Sequence, residues 1–364
     1  MTERMEWITD RTRFDDLAAE WDLLADREGT PFSRHAWYRA WLDAFGPVDL
    51  CTPVLWRSDL LAAALPLRAT RGGATTIANE HTPFLRPLGV DREAVTTLYE
   101  RTAGELGQLD IEPLPDRFVR DHDLTASRRG VWTLIEPRHT SPIVETAGDF
   151  TAWRQGSKSR WGAPLERFRR KAVRERGAEF ALVFAPADFG SELDECLQVE
   201  GSGWKGKHGT AVLSQPETAS FYRGVAAAFH ERGELRLSTL RMDAQLAAFD
   251  LCLLHRGRLY LLKTGYEESF RKLAPGLVLQ LSVIERCFET DPDAFELLGG
   301  EAEWKRKFAT SERQHVAVRS FRHRPRPALH FTYRRALRPP LKRAYRKARG
   351  LWHGLDGSRR AQER

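Results

Sequence analysis

No stretch of about 18 consecutive apolar residues occurs in the 364-residue chain, so a transmembrane helix is not expected. Cysteine is scarce: Cys51, Cys196, Cys252 and Cys287 stand far apart, without a C-x-x-C pair or a neighbouring histidine pair. That argues against a zinc site and against a disulfide framework, and a reducing cytoplasm fits best. The opening MTERMEWITDRTRFDD alternates charges and lacks the apolar segment of a signal peptide. Repeats of 20–50 residues are missing, which excludes a solenoid. Neither a Ser-His-Asp arrangement nor a metal-ligand spacing stands out, so no metal is expected; His81 and His208 read as lone structural histidines.

What is present is the composition of a folded soluble protein, 41% hydrophobic and 29% charged, long enough for two cores. The net charge of +7 is unevenly spread. Residues 319–364 hold 15 Lys/Arg against 2 Asp/Glu, a net of +13, which leaves the remainder at −6. The basic character therefore belongs to the C-terminal tail.

Apolar spacing predicts two helices over 14–45, with Trp21 on the first and Trp37, Trp41 and Phe45 at i+4 steps on the second. The spacing alone assigns these aromatics to the core. A hairpin (TPVLWRS and LLAAALPLRA), a helix over 91–107 and strands QLDIEPL, VWTLIEP and SPIVE complete the first half. After about residue 147 the pattern restarts. Helices lie near 150–177, around ELDECLQVE and over 217–233. Three strands follow (LRLSTLRM, LAAFDLCLLH and RLYLLKTGY), then a helix over GLVLQLSVIERCFE, a loop EAEWKRKFATS and a last strand HVAVRSF. This is an α+β arrangement used twice, with boundaries at 1–147, 148–320 and a tail over 321–364.

The stretch KTGYEESFRKLAPG (263–276) carries the first chemical suggestion. A strand ends at Lys263, and Pro275 suits the first position of the next helix, where its missing N–H costs nothing. Gly276 leaves the first-turn amides open. Arg271 and Lys272 add charge close by, and Lys263 lies at the strand end. Helix-start amides and cations together make a seat for a phosphate or pyrophosphate.

Four motifs in order, Trp21…Thr30-Pro31-Phe32…Trp37…Trp41, SKSR (157–160), WKGKHGTA (204–211) and LYLLKTGYEESFRKLAPG (259–276), give the chain a resemblance over roughly residues 10–320. It resembles the GNAT-like acetyltransferases of cellulose and exopolysaccharide biosynthesis (CelD/BcsL type), which are related to the FemAB aminoacyl transferases. The resemblance implies two tandem GNAT-like domains, mixed sheets flanked by helices, with the donor site in the second. The donor loop maps onto Arg271, Lys272, Leu273, Ala274, Pro275 and Gly276, with one glycine where the usual loop has two. The donor thus stays open between acetyl-CoA or another acyl-CoA, a carrier-protein thioester and aminoacyl-tRNA.

Acyl transfer to an amine needs a base for the amine and an acid for the leaving group. Glu200, before the loop GSGWKGKHG, and Asp250, alone in an apolar strand, are the carboxylate candidates. Tyr266 is the candidate acid, as the resemblance implies. Trp204 and Lys205 are candidate acceptor-binding residues in a glycine-rich loop. In the tail, Leu341, Tyr345, Ala348 and Trp352 form one stripe among cations, so 334–352 is expected to meet an anionic membrane surface, tRNA phosphates or an acidic polysaccharide. The leading expectation is an acyltransferase acting on a sugar or envelope-polymer precursor. The alternatives are a FemAB-like transferase using charged tRNA and an inactive scaffold held at a membrane.

Overall fold

The structure, a computed structural model, describes residues 2–124, 130–156, 162–202, 212–290, 292–300 and 302–337. Trp204, Lys205, His208, the SKSR and WKGKHGTA motifs and the tail stripe from Leu341 to Trp352 lie outside these residues.

In the first half, β1 (Glu3–Ile8) precedes α1 (Arg11–Asp16), α2 (Ala18–Glu28) and α3 (His35–Phe45). Five strands follow: β2 (Thr52–Arg57), β3 (Leu60–Ala64), β4 (Leu67–Thr70), β5 (Gly73–Thr76) and β6 (Leu88–Gly89). Then come α4 (Arg92–Glu105), β7 (Gln108–Pro115), α5 (Asp116–Asp121) and β8 (Val131–Glu145). The second half has α6 (Phe150–Gly156), α7 (Gly162–Arg176), β9 (Glu179–Phe184), α8 (Phe189–Ser202) and α9 (Pro216–Glu231). It continues with β10 (Leu235–Met242), β11 (Gln245–His255), β12 (Arg258–Tyr266), α10 (Pro275–Glu289), β13 (Ala294–Glu296), α11 (Glu303–Phe308), β14 (Ser311–Arg322) and α12 (Pro325–Thr332).

Strands and helices thus form a mixed α+β fold. A small sheet runs β1-β2-β3-β6, and a ten-stranded sheet runs β4-β5-β7-β14-β8-β13-β12-β11-β10-β9. The large sheet belongs to both halves. Residue 147 falls between β8 and α6, yet β14 returns to insert between β7 and β8, antiparallel to each. Arg319 on β14 is 3% exposed and meets Asp110, Glu112 and Glu136 of those two neighbours.

The spaced tryptophans are core residues: Trp21 and Trp37 are fully buried and Trp41 nearly so. Their cluster joins the halves, with Trp37 against Phe221 of α9 (ring centroids 5.1 Å) and Phe32 against Tyr260 of β12 (5.4 Å). Four details differ from the sequence expectation. The run 14–28 breaks at Leu17 into α1 and α2; LLAAALPLRA splits at Leu65-Pro66 into strands of different sheets; VWTLIEP and SPIVE are one strand; and EWKRKF (Glu303–Phe308) is a helix rather than a loop. Among the described residues no helix is long and apolar enough to cross a membrane, and no three metal-ligating side chains cluster.

Candidate functional site

β12 has two neighbours of unequal length. Antiparallel β11 accompanies it from Arg258 to Tyr266, whereas parallel β13 pairs only with Arg258, Leu259 and Tyr260. Beyond Tyr260 the parallel edge parts, and a pocket of about 480 Å³ opens against the later residues of β12. The residues lining it include Glu200, Thr264, Gly265, Tyr266, Arg271, Ala274, Pro275 and Gly276, with Gln280, Trp304 and Lys305 completing the wall.

The local sequence explains this corner. Glu267 caps a short 3-10 helix, Glu268–Leu273, by accepting from the Ser269 N–H at 3.1 Å. Ala274 then adopts the left-handed conformation (φ 48°, ψ 50°), which a glycine takes more readily. Ala274, which the resemblance sets against the first glycine of the usual donor loop, is thus an alanine held in a turn conformation of the glycine kind. Pro275 starts α10, whose first turn has neither a side-chain cap nor an acidic residue. The Gly276 and Leu277 amides consequently have no intrahelical acceptor and carry the positive end of the helix dipole. A Cβ built at Gly276 would lie 3.6 Å from the Tyr266 ring, so this position faces the pocket residue without crowding it.

Cations come from both sides. Arg271 is largely exposed and reaches Glu268 at 3.4 Å. Lys305, across the pocket on α11, donates to the Leu297 and Leu298 carbonyls at 2.8 and 2.7 Å and lies 5.5 Å from the Trp304 ring. Lys272 is exposed and is not part of the lining.

Glu200 forms the opposite wall. It sits within α8, is 3% exposed, accepts from the Val212 N–H at 2.8 Å and lies 3.9 Å from the Lys263 ammonium. Gly265 permits this approach: a Cβ there would come within 3.2 Å of the Glu200 Cα and 2.6 Å of the Phe249 ring. Lys263 is not among the residues lining the pocket. Its ammonium lies 4.7 Å over the Tyr222 ring, beside Glu200. His81, from the first half, joins this group through Tyr222 Oη and Thr218 Oγ1, each at 3.3 Å. Burial, and secondarily the Lys263 charge, lowers the His81 pKa.

Asp250 does not line the pocket. It is fully buried on β11, accepts from Gln280 Nε2 at 2.7 Å and faces Thr264 across the strand pair. Burial pushes its carboxyl up to about 7 against the hydrogen bonds from Thr264 and Gln280. It backs two pocket residues and positions them rather than meeting a ligand. Tyr266 is about one-third exposed, and burial raises its pKa, so it stays protonated at neutral pH.

Sequence reasoning missed Thr264, Gln280, Trp304 and Lys305. Gln280 carried a readable sign, a lone amide within the apolar run LVLQLSVI. Trp304 and Phe308 share a helical i+4 step that was readable too.

Residues 163–306 match the family model described as acetyltransferase (GNAT) domain, a span that contains α10 and every pocket residue named above. Three solved structures share the overall fold. The C-terminal DUF2156 domain of a protein assigned as a lysylphosphatidylglycerol synthetase from Agrobacterium fabrum is 14% identical, with a TM-score of 0.55 over 86% of this chain and 93% of that one. FemX is 10% identical, with a TM-score of 0.55 over 88% and 97% of the two chains. L-PGS from Bacillus licheniformis is 12% identical, at 0.51 over 88% and 95%. No curated protein matches the sequence. The second half thus matches the acetyltransferase (GNAT) domain, and the chain as a whole shares the fold of these three structures.

Proposed function

We propose that the protein moves an acyl group, acetyl in the simplest case, from acyl-CoA to an amine or hydroxyl of a sugar or cell-envelope polymer precursor, as CelD/BcsL-type enzymes do. One observation carries this reading. The open start of α10 and the buried carboxylate of Glu200 face a single pocket at the point where β12 leaves β13. The Gly276 and Leu277 amides, with Arg271, suit a donor pyrophosphate. Glu200 is placed to receive the proton that the attacking amine loses as the new C–N bond forms. Tyr266 supplies a proton to the sulfur as the C–S bond breaks, and its exposed edge allows it to be reprotonated from solvent. The remaining acceleration comes from positioning, without a covalent enzyme intermediate. In this reading the protein works in the cytoplasm, with the tail over 334–352 drawing it to the anionic inner face of a membrane.

A second reading, transfer from aminoacyl-tRNA, is favoured by the overlap with FemX and with the lysylphosphatidylglycerol synthetase-type domain, each spanning more than four-fifths of this chain. The two readings separate in one assay of the purified full chain. Acetyl-CoA with an amino sugar should release thiol in proportion to acceptor, and charged tRNA should give no transfer. Transfer from charged tRNA alone overturns the first reading in favour of the second.

A further inference from the structure

A larger cavity, of about 920 Å³, lies at the other end of β12, and the donor pocket does not absorb it. Tyr260 lines this cavity while Thr264 and Tyr266 line the donor pocket, so roughly 13 Å of strand separates the two at about 3.3 Å per residue. Both halves of the chain build its walls: the end of α2, the start of α4 and α5 from the first, and the β11–β12 turn, β12 and β14 from the second.

Its charge is one-sided. Eight arginines and four carboxylates line it. Three of those carboxylates are already engaged, Asp116 by Arg120, Asp121 by Arg117 and Glu145 by Ser311 and Arg258. On the floor, Arg258 and Arg313 both grip the fully buried Glu296, and Arg258 also reaches Glu145 at 3.8 Å. Arg256 donates to the Asp26 and Arg27 carbonyls at the end of α2 and has no ion pair among the described residues. Arg27 and Arg92 are exposed and have no ion pair among the described residues. His255, 4% exposed, stands in the same wall; its Nδ1 lies 3.3 Å from Glu234, and its Nε2 has no hydrogen-bond partner. The apolar side of the cavity is aromatic, with Tyr260 and with Phe118 stacked on His122 at 3.9 Å.

We infer that this cavity between the halves is a second anion site, built for a small ligand carrying a diphosphate next to a flat ring system. Guanidinium forks converging from several elements suit the paired oxygens of phosphate groups. The volume is within the range of small-ligand sites and well beyond one phosphate. The cations gather around one open cleft rather than running as a stripe along the surface, which favours a small diphosphate over a nucleic-acid backbone. The inference does not depend on the acyl-transfer reading, because none of these residues lines the donor pocket.

The test uses the full chain and three probes at fixed ionic strength: inorganic pyrophosphate, ADP and a short single-stranded RNA. Calorimetric titration should show ADP binding more tightly than pyrophosphate, with RNA weaker than either. The double variant Arg27→Ala/Arg92→Ala removes two exposed cations without a structural partner, so it should keep the wild-type Tm and weaken ADP at least tenfold. Gly276→Trp closes the other pyrophosphate seat, so ADP should still bind that variant, with an affinity that adding Arg27→Ala/Arg92→Ala weakens at least tenfold. Equal ADP affinity in the double variant, loss of ADP binding in Gly276→Trp, or RNA binding more tightly than ADP would each overturn the inference.

Discussion

Helices α4 and α10 follow comparable strand-and-loop entries in the two halves, and they begin in opposite ways. At α4 the Asp91 side chain caps the helix by accepting from the Ala94 N–H at 2.7 Å, Glu93 occupies the first turn, and Arg57 neutralises Asp91 at 2.6 Å. The positive end of that helix is filled by the chain's own anion. At α10 the cap is a left-handed alanine that offers no side-chain bond, proline and glycine follow, and no acid is nearby in the turn. That end is left for an anion from outside. The two halves repeat an α+β plan, but of these two helix starts the second alone is left open, and the proposed donor seat lies there.

The largest effect that sharpens this contrast is expected at the wall facing the open helix. Glu200→Gln should lower kcat about 100-fold or more if the carboxylate takes the acceptor proton. The amide oxygen still accepts from Val212, so donor affinity should hold, while loss of the Lys263 partner should lower Tm; steady-state kinetics with unchanged donor KM and a thermal melt would check both. A kcat within threefold of wild type would remove Glu200 from the chemistry.

Asp250 tests the support behind α10. Its folded pKa is raised from 3.8 to about 7, so the favourable share of the neutral carboxyl is full below pH 3.8 and is lost as pH rises through about 7. The upper bound of that loss is about 4 kcal/mol. Asp250→Asn keeps a neutral acceptor for Gln280, so its Tm should exceed the wild-type Tm at pH 8, with the gap narrowing below pH 7 and closing only near pH 3.8. A lower Tm at pH 8 would mean that the charged carboxylate is needed in the folded state.

The smallest effect belongs to the filled helix. Asp91→Ala should cost about 1 kcal/mol of stability, read from denaturant unfolding, and leave donor binding untouched. A changed donor affinity would show that the first half takes part in the seat.

The donor corner was legible because it is local. A strand end, two cations, Pro275 and Gly276 lie within fourteen residues, and their order fixes the turn and helix start. The far walls were not local. Glu200 reaches the pocket because Gly265 lets α8 press on β12, and Lys305 because α11 follows β13; both depend on strand pairings that spacing does not encode. For the same reason Lys263 was read beside the phosphate seat but lies with Tyr222 and Glu200, and Asp250, read as catalytic, stands one layer behind the wall. The insertion of β14 between β7 and β8 is also a long-range event, held by Arg319 among three carboxylates that look unremarkable as sequence. Helix α11 escaped because its six residues are too few for a strong periodic signal.

The contrast between the two helix starts rests on one measurable property, which is whether acyl-CoA stabilises the chain through α10. Thermal unfolding with increasing acetyl-CoA should raise the Tm of the wild type and of Asp91→Ala progressively. Gly276→Trp, folded normally without ligand, should show no rise. A rise that survives in Gly276→Trp would contradict the account and place the donor elsewhere.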